Sequence, residues 1–195
     1  MRAPARRDRR RENCEPSSTP GRYGPTVDDD PVEIRPAATE DLHQLNELYN
    51  HYVLYSHVTF DVRPVTMAER VEWFRHYRET GPHRVLVAVA GSEVLGFASS
   101  SPYRPREAYE TSVETTVYLA PEATGRRLGS RLYTELFRAI EGEDVHRAIG
   151  GVALPNEASV ALHRRFGFTQ VAHFTEQGRK FGRYWDVVYF EKPLP

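Results

Sequence analysis

The sequence predicts an α/β (α+β) domain in which helices cover both faces of a mixed, mostly antiparallel β-sheet. The apolar pattern switches between strand and helix periodicity in the order β-α-α-β-β-β-α-β-α-β-β. Strands of the front half follow one another through short loops, as antiparallel strands do, whereas the back half runs strand, helix, strand, which favours a parallel pair. Both kinds of pairing are therefore expected in one sheet.

The front half begins with an alternating strand and two amphipathic helices. Thr39 is placed to cap the first helix, and Thr66 with Glu69 forms a capping box for the second. Gly81-Pro82 stops that second helix, and a tight turn at Gly91-Ser-Glu93 joins the next two strands. In order, we expect a strand at 32–35, helices that include 42–52 and 66–77, and strands at 85–90, 94–99 and 112–119.

The back half alternates strands and helices before a final pair of strands. Gly129 opens a helix that runs through Glu141, with apolar residues facing inward. Asn156 begins another helix, and Gly167 ends it because glycine adopts the left-handed conformation without steric cost. The predicted strands are a small-residue strand at 148–153 and two more at 168–176 and 184–191.

Residues 1–30 differ in composition from residues 31–195, which we expect to form a single domain. The first segment is rich in arginine, proline and aspartate, a composition typical of disordered chains. We expect a solvated extension or the product of an upstream start codon. A nucleic-acid or membrane arm is the alternative, which the acidic residues in the same segment weaken.

Charge and cysteine content exclude several classes of protein. The formal net charge of −1 argues against a surface devoted to nucleic acid. Cys14 is the single cysteine, so the chain cannot form an internal disulfide or a cysteine-based zinc site. No stretch has the length and apolarity of a membrane span. We expect a cytoplasmic protein with no metal and with neither nucleic acid nor membrane as its partner.

Residues 113–130 join a β-branched strand, a glycine-containing turn and a helix start. Glu114 alternates with Val113, so its side chain lies on the opposite face of the sheet, together with Thr116 and Tyr118. The turn and the helix N-terminus offer free backbone N–H groups to phosphate oxygens. This block therefore predicts a phosphorylated cofactor bound beside a carboxylate.

The order of elements, this block and the run Asn156-x-x-Ser-x-x-Leu-His-x-x-x-Gly-Phe168 resemble the GNAT N-acetyltransferase superfamily over residues 32–192. Within it, the chain is most similar to the phosphinothricin acetyltransferase family. The segments that carry this resemblance are Tyr49-Asn-His-Tyr52, Thr59-Phe60, Ser101-Pro-Tyr-Arg-Pro-Arg-Glu-Ala-Tyr109, Val113-Glu-Thr-Thr-Val-Tyr118 and Leu154-Pro-Asn156. The resemblance implies a GNAT fold and acetyl-CoA as co-substrate.

The resemblance also implies that Glu114 is the catalytic glutamate. Only a neutral amine attacks a thioester, and an α-amine with a pKa near about 8 is mostly protonated, so a base is needed. A carboxylate partly desolvated among Tyr118 and Phe60 would bind a proton more tightly. Without that context, a glutamate on a half-exposed strand is usually solvated. His163 matches a second functional position, and either proton transfer or substrate positioning remains open for it.

The loop that enters the catalytic strand matches the family's acceptor-binding positions. Arg104 and Arg106 suit a carboxylate and a phosphinate or sulfoximine oxygen, with a further hydrogen bond from Tyr109. An ordinary charged loop is the alternative. Phe60 matches an aromatic residue of the pocket wall, although a core role would equally explain it.

The expected cofactor site departs from the family pattern at two positions. Thr124 stands where the family has a long polar residue, and Arg127 stands where it has a glycine. Arg127 must then adopt an ordinary backbone conformation or strain the loop, unless Gly125 supplies the flexibility. Asn156 either contacts the pantetheine arm or simply caps its helix. The predicted cofactor-binding residues are Val117, Tyr118, Leu119, Thr124, Gly125, Arg126, Arg127, Leu128, Gly129, Ser130, Asn156 and Ser159.

We therefore predict direct acetyl transfer from acetyl-CoA to the primary amine of a small amino-acid-like acceptor. The alternatives are a GNAT enzyme for another amine, such as a protein N-terminus, a polyamine or an antibiotic, and a binding module for acyl-CoA without turnover. The aromatic segment 181–190 suggests a homodimer surface, although core packing explains some of its aromatic residues.

Overall fold

The computed structural model describes residues 31–195, so the tail predicted at 1–30 lies outside the described residues. The helices are α1 Leu42–Tyr55, α2 Met67–Phe74, α3 Leu128–Ala139 and α4 Glu157–Arg165. The strands are β1 Glu33–Pro36, β2 Arg84–Ala90, β3 Glu93–Pro102, β4 Ser112–Leu119, β5 Arg147–Ala153, β6 Thr169–Lys180 and β7 Arg183–Pro193.

All of these strands form one sheet in the order β1-β2-β3-β4-β5-β7-β6. Only the β4–β5 pair is parallel, and every other neighbouring pair is antiparallel. The predicted mixed, mostly antiparallel sheet is confirmed. The parallel pair arises where a helix connects consecutive strands, because a parallel connection needs a long crossover.

Helices lie on both faces of the sheet and produce two apolar cores. Leu45 of α1 packs with Val87 and Phe97 in one core, while Leu132 and Leu136 of α3 pack in the other. Alternating residues of β2 supply both cores because neighbouring side chains of a strand point to opposite faces. The chain from 31 to 195 is therefore a helix–sheet–helix sandwich.

Several predicted element ends differ in the structure. Ala38, not Thr39, precedes the first helical turn, and the Asp41 carboxylate accepts the Ala38 N–H at 2.7 Å while pairing with Arg35. The second helix ends three residues before Tyr77, whose ring is buried in the core. Strand β6 is longer than predicted because it continues to a tight turn at 181–182, and β7 is longer at both of its ends.

Candidate active site

The candidate site is a slit where β4 and β5 separate. Their parallel ladder covers only Ser112 to Glu114 against Arg147 to Ile149. A cavity of about 560 Å³ opens beyond it, between the N-terminus of α3 and helix α4. The predicted residues that line this cavity are Val117, Tyr118, Leu119, Thr124, Gly125, Arg127, Leu128, Gly129, Ser130, Asn156, Ser159 and His163. Arg126 is the one predicted cofactor residue outside the lining.

The turn before α3 has the geometry of an anion site. Its first helical hydrogen bond runs from the Arg131 N–H to the Arg127 carbonyl, so the N–H groups of residues 128–130 have no acceptor within the helix. Three such donors, at the positive end of the helix dipole, suit the oxygens of a pyrophosphate. The residues of this turn therefore fit the phosphate part of acetyl-CoA.

Arg127 occupies the left-handed region, with φ 61° and ψ 13°, directly before α3. This is the strained outcome of the two that the sequence left open. Gly125 also has positive φ, at 76°, so flexibility at that position adds to the strain at Arg127 and does not replace it. Thr124 contributes differently, because its hydroxyl donates to the Pro121 carbonyl at 2.8 Å and fixes the preceding turn.

Asn156 caps helix α4 and also lines the cavity. Its side-chain oxygen accepts the Ser159 N–H at 3.1 Å, which caps α4, and the same residue lines the cavity. The imidazole of His57 lies 3.1 Å from the carbonyl of Pro155, so the connection between α1 and α2 contacts the start of α4.

Glu114 lies on the α1 face of the sheet, at the last residue pair before the slit. Burial raises the pKa of its carboxyl, and the positive charge of Arg104 opposes that rise. A Cβ atom placed on Gly151 would lie 3.8 Å from the Glu114 Oε1 atom, so the carboxylate stands directly beside bare β5 backbone. Gly151 also lines the cofactor cavity, which brings the carboxylate to its mouth.

His163 lies on the other face of the sheet and is only 4% exposed. Its Nδ1 atom is 2.8 Å from the Ser159 carbonyl, which can only accept, so Nδ1 carries the proton. Its Nε2 atom is 3.3 Å from the hydroxyl of Tyr133, whose oxygen lies 3.2 Å from the Thr115 Oγ1. Burial lowers the pKa of the imidazole, which favours the neutral ring.

The predicted acceptor residues Arg104, Arg106 and Tyr109 line one groove of about 450 Å³, which is separate from the cofactor cavity. Arg104 lies close enough to oppose the raised pKa of Glu114, and its guanidinium lies 5.0 Å from the Tyr103 ring centroid. The same groove also includes His83. The ring of Phe60 packs against Gly178, where an added Cβ atom would clash with it.

Two residues of the site were missed in the sequence. Tyr189 pairs with Gly151 across β5 and β7, and burial together with the charge of Glu114 raises its pKa. Tyr103 is the second, and its proximity also raises the pKa of the Tyr189 phenol. The strand alternation of β7 offered a signal for Tyr189, but only the register between the strands shows which neighbour it meets.

A family comparison agrees with this geometry. Residues 43–168 match the model of the Acetyltransferase (GNAT) family. The chain belongs to the GNAT family of acetyltransferases. The predicted family and GNAT fold are thereby confirmed.

Individual GNAT relatives give a finer comparison. The chain is 55% identical over 165 residues to a phosphinothricin N-acetyltransferase of Streptomyces coelicolor, covering 84% of this chain and 96% of that one. It is 32% identical over 163 residues to an L-methionine sulfoximine/L-methionine sulfone acetyltransferase of Pseudomonas aeruginosa, covering 84% and 95%. A GNAT phosphinothricin acetyltransferase from Sinorhizobium meliloti, solved with acetyl-CoA, has a TM-score of 0.76 and 30% identity, covering 84% and 88%.

Among residues 31–195, no group of three or more histidine, cysteine or carboxylate side chains is arranged to hold a metal ion. Within the same range, no helix is both long and apolar enough to cross a bilayer.

Proposed function

We propose that this GNAT enzyme transfers the acetyl group of acetyl-CoA directly to the primary amine of a small amino-acid-like acceptor. The observation that carries the proposal is the Glu114 carboxylate beside Gly151, a residue that also lines the cofactor cavity. The carboxylate thus stands where a thioester bound in the slit would meet an amine. Phosphinothricin and methionine sulfoximine, named for two relatives, are the acceptors to test first.

The chemistry requires one proton to leave the amine before or during attack. Because burial raises the pKa of Glu114, its carboxylate accepts that proton more readily than a solvated glutamate would. The amine nitrogen then bonds to the thioester carbonyl carbon, the carbon–sulfur bond breaks, and CoA leaves as a thiolate that takes up the second proton released by the nitrogen. Backbone N–H groups of residues 117–119 that face the slit would stabilise the developing oxyanion.

Arg104 supports an acceptor that carries a negative group. Its positive charge opposes the rise in the pKa of both Glu114 and Tyr189, so Arg104 lies near these two residues on the acceptor side of the slit. A polyamine would meet repulsion there, whereas the carboxylate of an amino acid would be attracted. Arg106 and Tyr109 line one groove with Arg104, so they would be further contacts for an acceptor that extends into that groove.

The test is replacement of Glu114 by glutamine. We expect kcat to fall by about 10²- to 10⁴-fold, the usual contribution of a general base, while acetyl-CoA binds with little change. Free thiol release would be followed with acetyl-CoA and a panel of amino acids, peptides and polyamines. A wild-type kcat in Glu114→Gln would contradict the role of the carboxylate, and thiol release with polyamines alone would contradict the acceptor class.

For His163 we propose positioning rather than proton exchange with the acceptor. Glu114 and His163 lie on opposite faces of the sheet, and both ring nitrogens of His163 have protein partners. His163→Gln should raise the KM for acetyl-CoA and leave the acidic limb of the kcat–pH profile in place. A shift of that limb would assign the proton transfer to the imidazole instead.

We also propose that the enzyme is a cytoplasmic homodimer that uses the β6–β7 hairpin as its interface. Within segment 181–190, Trp185 is stacked between His57 and Arg183, and Phe190 is fully buried. Phe181 and Tyr184 remain exposed, at 56% and 54%, on a strand pair at the sheet edge. Exposed aromatic residues at an edge are typical of protein–protein contacts.

A further inference from the structure

We propose that Gly151 determines acceptor specificity. Its missing side chain keeps open the space in which the amine-bearing carbon of the acceptor lies, between the Glu114 carboxylate and the Tyr189 ring. This inference rests on the proposed acetyl transfer and adds where the acceptor sits.

The backbone does not require glycine at this position. The glycines of residues 31–195 that adopt a left-handed conformation are Gly81, Gly91, Gly125, Gly142, Gly167 and Gly182, and Gly151 is not among them. Gly151 lies within the regular β5–β7 ladder, opposite Tyr189. Any residue with ordinary strand geometry would fit that backbone.

Packing does not require glycine there either. A Cβ atom on Gly151 would lie 3.4 Å from a Tyr189 ring carbon and 3.8 Å from Glu114 Oε1, with no clash. Three other glycines lack that freedom, because an added Cβ would lie 2.6 Å from Leu119 at Gly96, 2.2 Å from the His163 ring at Gly150 and 2.3 Å from the Phe60 ring at Gly178. The folded protein alone therefore gives no reason for the bare backbone at 151.

The place of Gly151 supplies a reason. It is exposed, it lies two residues past the last β4–β5 pair, and it lines the cofactor cavity. Its neighbour Gly150 admits the His163 ring on one face, whereas Gly151 faces the Glu114 carboxylate on the other. Both reactants must approach this point, so a methyl group here would compete with them for space.

The amine of an amino acid is bonded to a carbon that also carries a carboxylate and a side chain. That branched carbon must fit within van der Waals distance of residue 151 if the nitrogen is to reach both Glu114 and the thioester. A single added methylene in such a site changes discrimination by about 10- to 200-fold. We therefore expect a methyl group at residue 151 to lower kcat/KM for the acceptor.

The experiment compares Gly151→Ala and Gly151→Val with wild type, using the amine that the wild type acetylates fastest. We expect kcat/KM for that amine to fall at least about tenfold in the alanine variant and further in the valine variant. The acetyl-CoA dissociation constant should change less than about threefold, and the melting temperature should not fall, because the added methyl meets only ordinary contacts.

Gly129→Ala is the contrast variant. Gly129 lines the same cavity at the start of α3, and its added Cβ would also meet only ordinary contacts, at 3.6 Å or more. Its effect should fall on acetyl-CoA binding and not on the KM of the amine. The two substitutions thus distinguish an effect on the amine from an effect on acetyl-CoA.

Two results would overturn the inference. One is a Gly151→Ala enzyme whose kcat/KM for the amine stays within about twofold of wild type, and the other is a loss confined to acetyl-CoA binding. Failure of the proposed function has a different signature, since wild-type protein would then release no thiol with any amine. That result would remove the proposed function and this inference together.

Discussion

At the scale of single residues, the property that suits Glu114 to catalysis is also a cost to stability. Burial raises the pKa of its carboxyl above the ordinary value of 4.5. In the window between 4.5 and the raised pKa, the folded protein holds more protons than the unfolded chain. The free energy of unfolding therefore falls as pH rises through this window, and it stays lower above it.

Glu114→Gln should remove this cost. We expect the variant to melt at a higher temperature than wild type at pH about 7.5, and the difference to disappear at pH about 4, where the wild-type carboxyl is protonated in both states. Thermal melts of both proteins at the two pH values would measure it. A difference that is the same at both pH values would show that the carboxylate charge is not its cause.

Arg127 carries a second cost at the residue scale. A left-handed conformation costs a non-glycine residue roughly 1–2 kcal/mol. Glycine removes this cost, but its greater conformational freedom in the unfolded chain offsets part of the gain in stability. Arg127→Gly should therefore stabilise the protein by up to about 1 kcal/mol, as measured by urea unfolding.

Arg127→Ala is the control for this substitution, because alanine removes the guanidinium but keeps the side-chain clash. A rise in stability for the alanine variant equal to that of the glycine variant would contradict strain as the cause. The acetyl-CoA dissociation constants of the same two variants would show how much the charge of Arg127 contributes to binding.

At the scale of elements, the β6–β7 hairpin holds the connection between α1 and α2. The Lys180 ammonium is buried and donates to the Thr59 carbonyl at 2.8 Å and to the Tyr52 carbonyl at 3.4 Å. The Thr59 hydroxyl lies 2.8 Å from the hydroxyl of Tyr49, whose ring meets that of Tyr118 on β4. The hairpin is thereby linked to the strand that carries Glu114.

Lys180→Met should destabilise the protein by about 1–3 kcal/mol, because the buried Thr59 carbonyl loses the Lys180 donor while the apolar stem is retained. The Tyr52 carbonyl still accepts the Ser56 N–H in this variant. Chemical denaturation would measure the change. Lys192 is the other lysine of the chain and is only partly buried, so Lys192→Met serves as the control. A cost at Lys192 as large as that at Lys180 would show that the hydrogen bonds of Lys180 are not responsible.

The sequence predicted elements well and their ends less well. Periodicity located every strand and helix because each buries one regular face. The ends depend on contacts with other residues: Ala38, and not Thr39, precedes the first helical turn, where the Asp41 carboxylate accepts the Ala38 N–H and pairs with Arg35. The longer β6 and β7 depend on their pairing with each other up to the turn at 181–182.

At the scale of the whole molecule, the sequence could predict where a site residue lies when one strand or one turn determines its placement. Alternation along β4 fixes the face of Glu114, and the order of elements fixes the cavity. Local patterns gave no warning that His163 lies on the opposite face of the sheet, or that the groove lined by Arg104 and Arg106 is separate from the cofactor cavity. The meeting of Tyr189 and Gly151 depends on register between strands far apart in the chain.

The proposed dimer is also tested at this scale. Replacing exposed Phe174 and Phe181 together by serine should shift the sedimentation mass from two chains to one, because both lie on the hairpin. Val71→Ser, which changes an exposed apolar residue on α2, should leave the mass unchanged. A wild-type protein that sediments as one chain would exclude the dimer.

The short β4–β5 ladder makes the sheet less stable between these two strands than elsewhere. Three residue pairs join these strands, whereas seven join β5 and β7. Local opening of a sheet is easiest where neighbouring strands share the fewest hydrogen bonds. Amide hydrogens that border the slit should therefore exchange with solvent sooner than those of β2 and β3. A nucleotide thioester bound in the slit would contact both strands and hold them together. Proteases should therefore cleave the ligand-bound enzyme more slowly than the free protein.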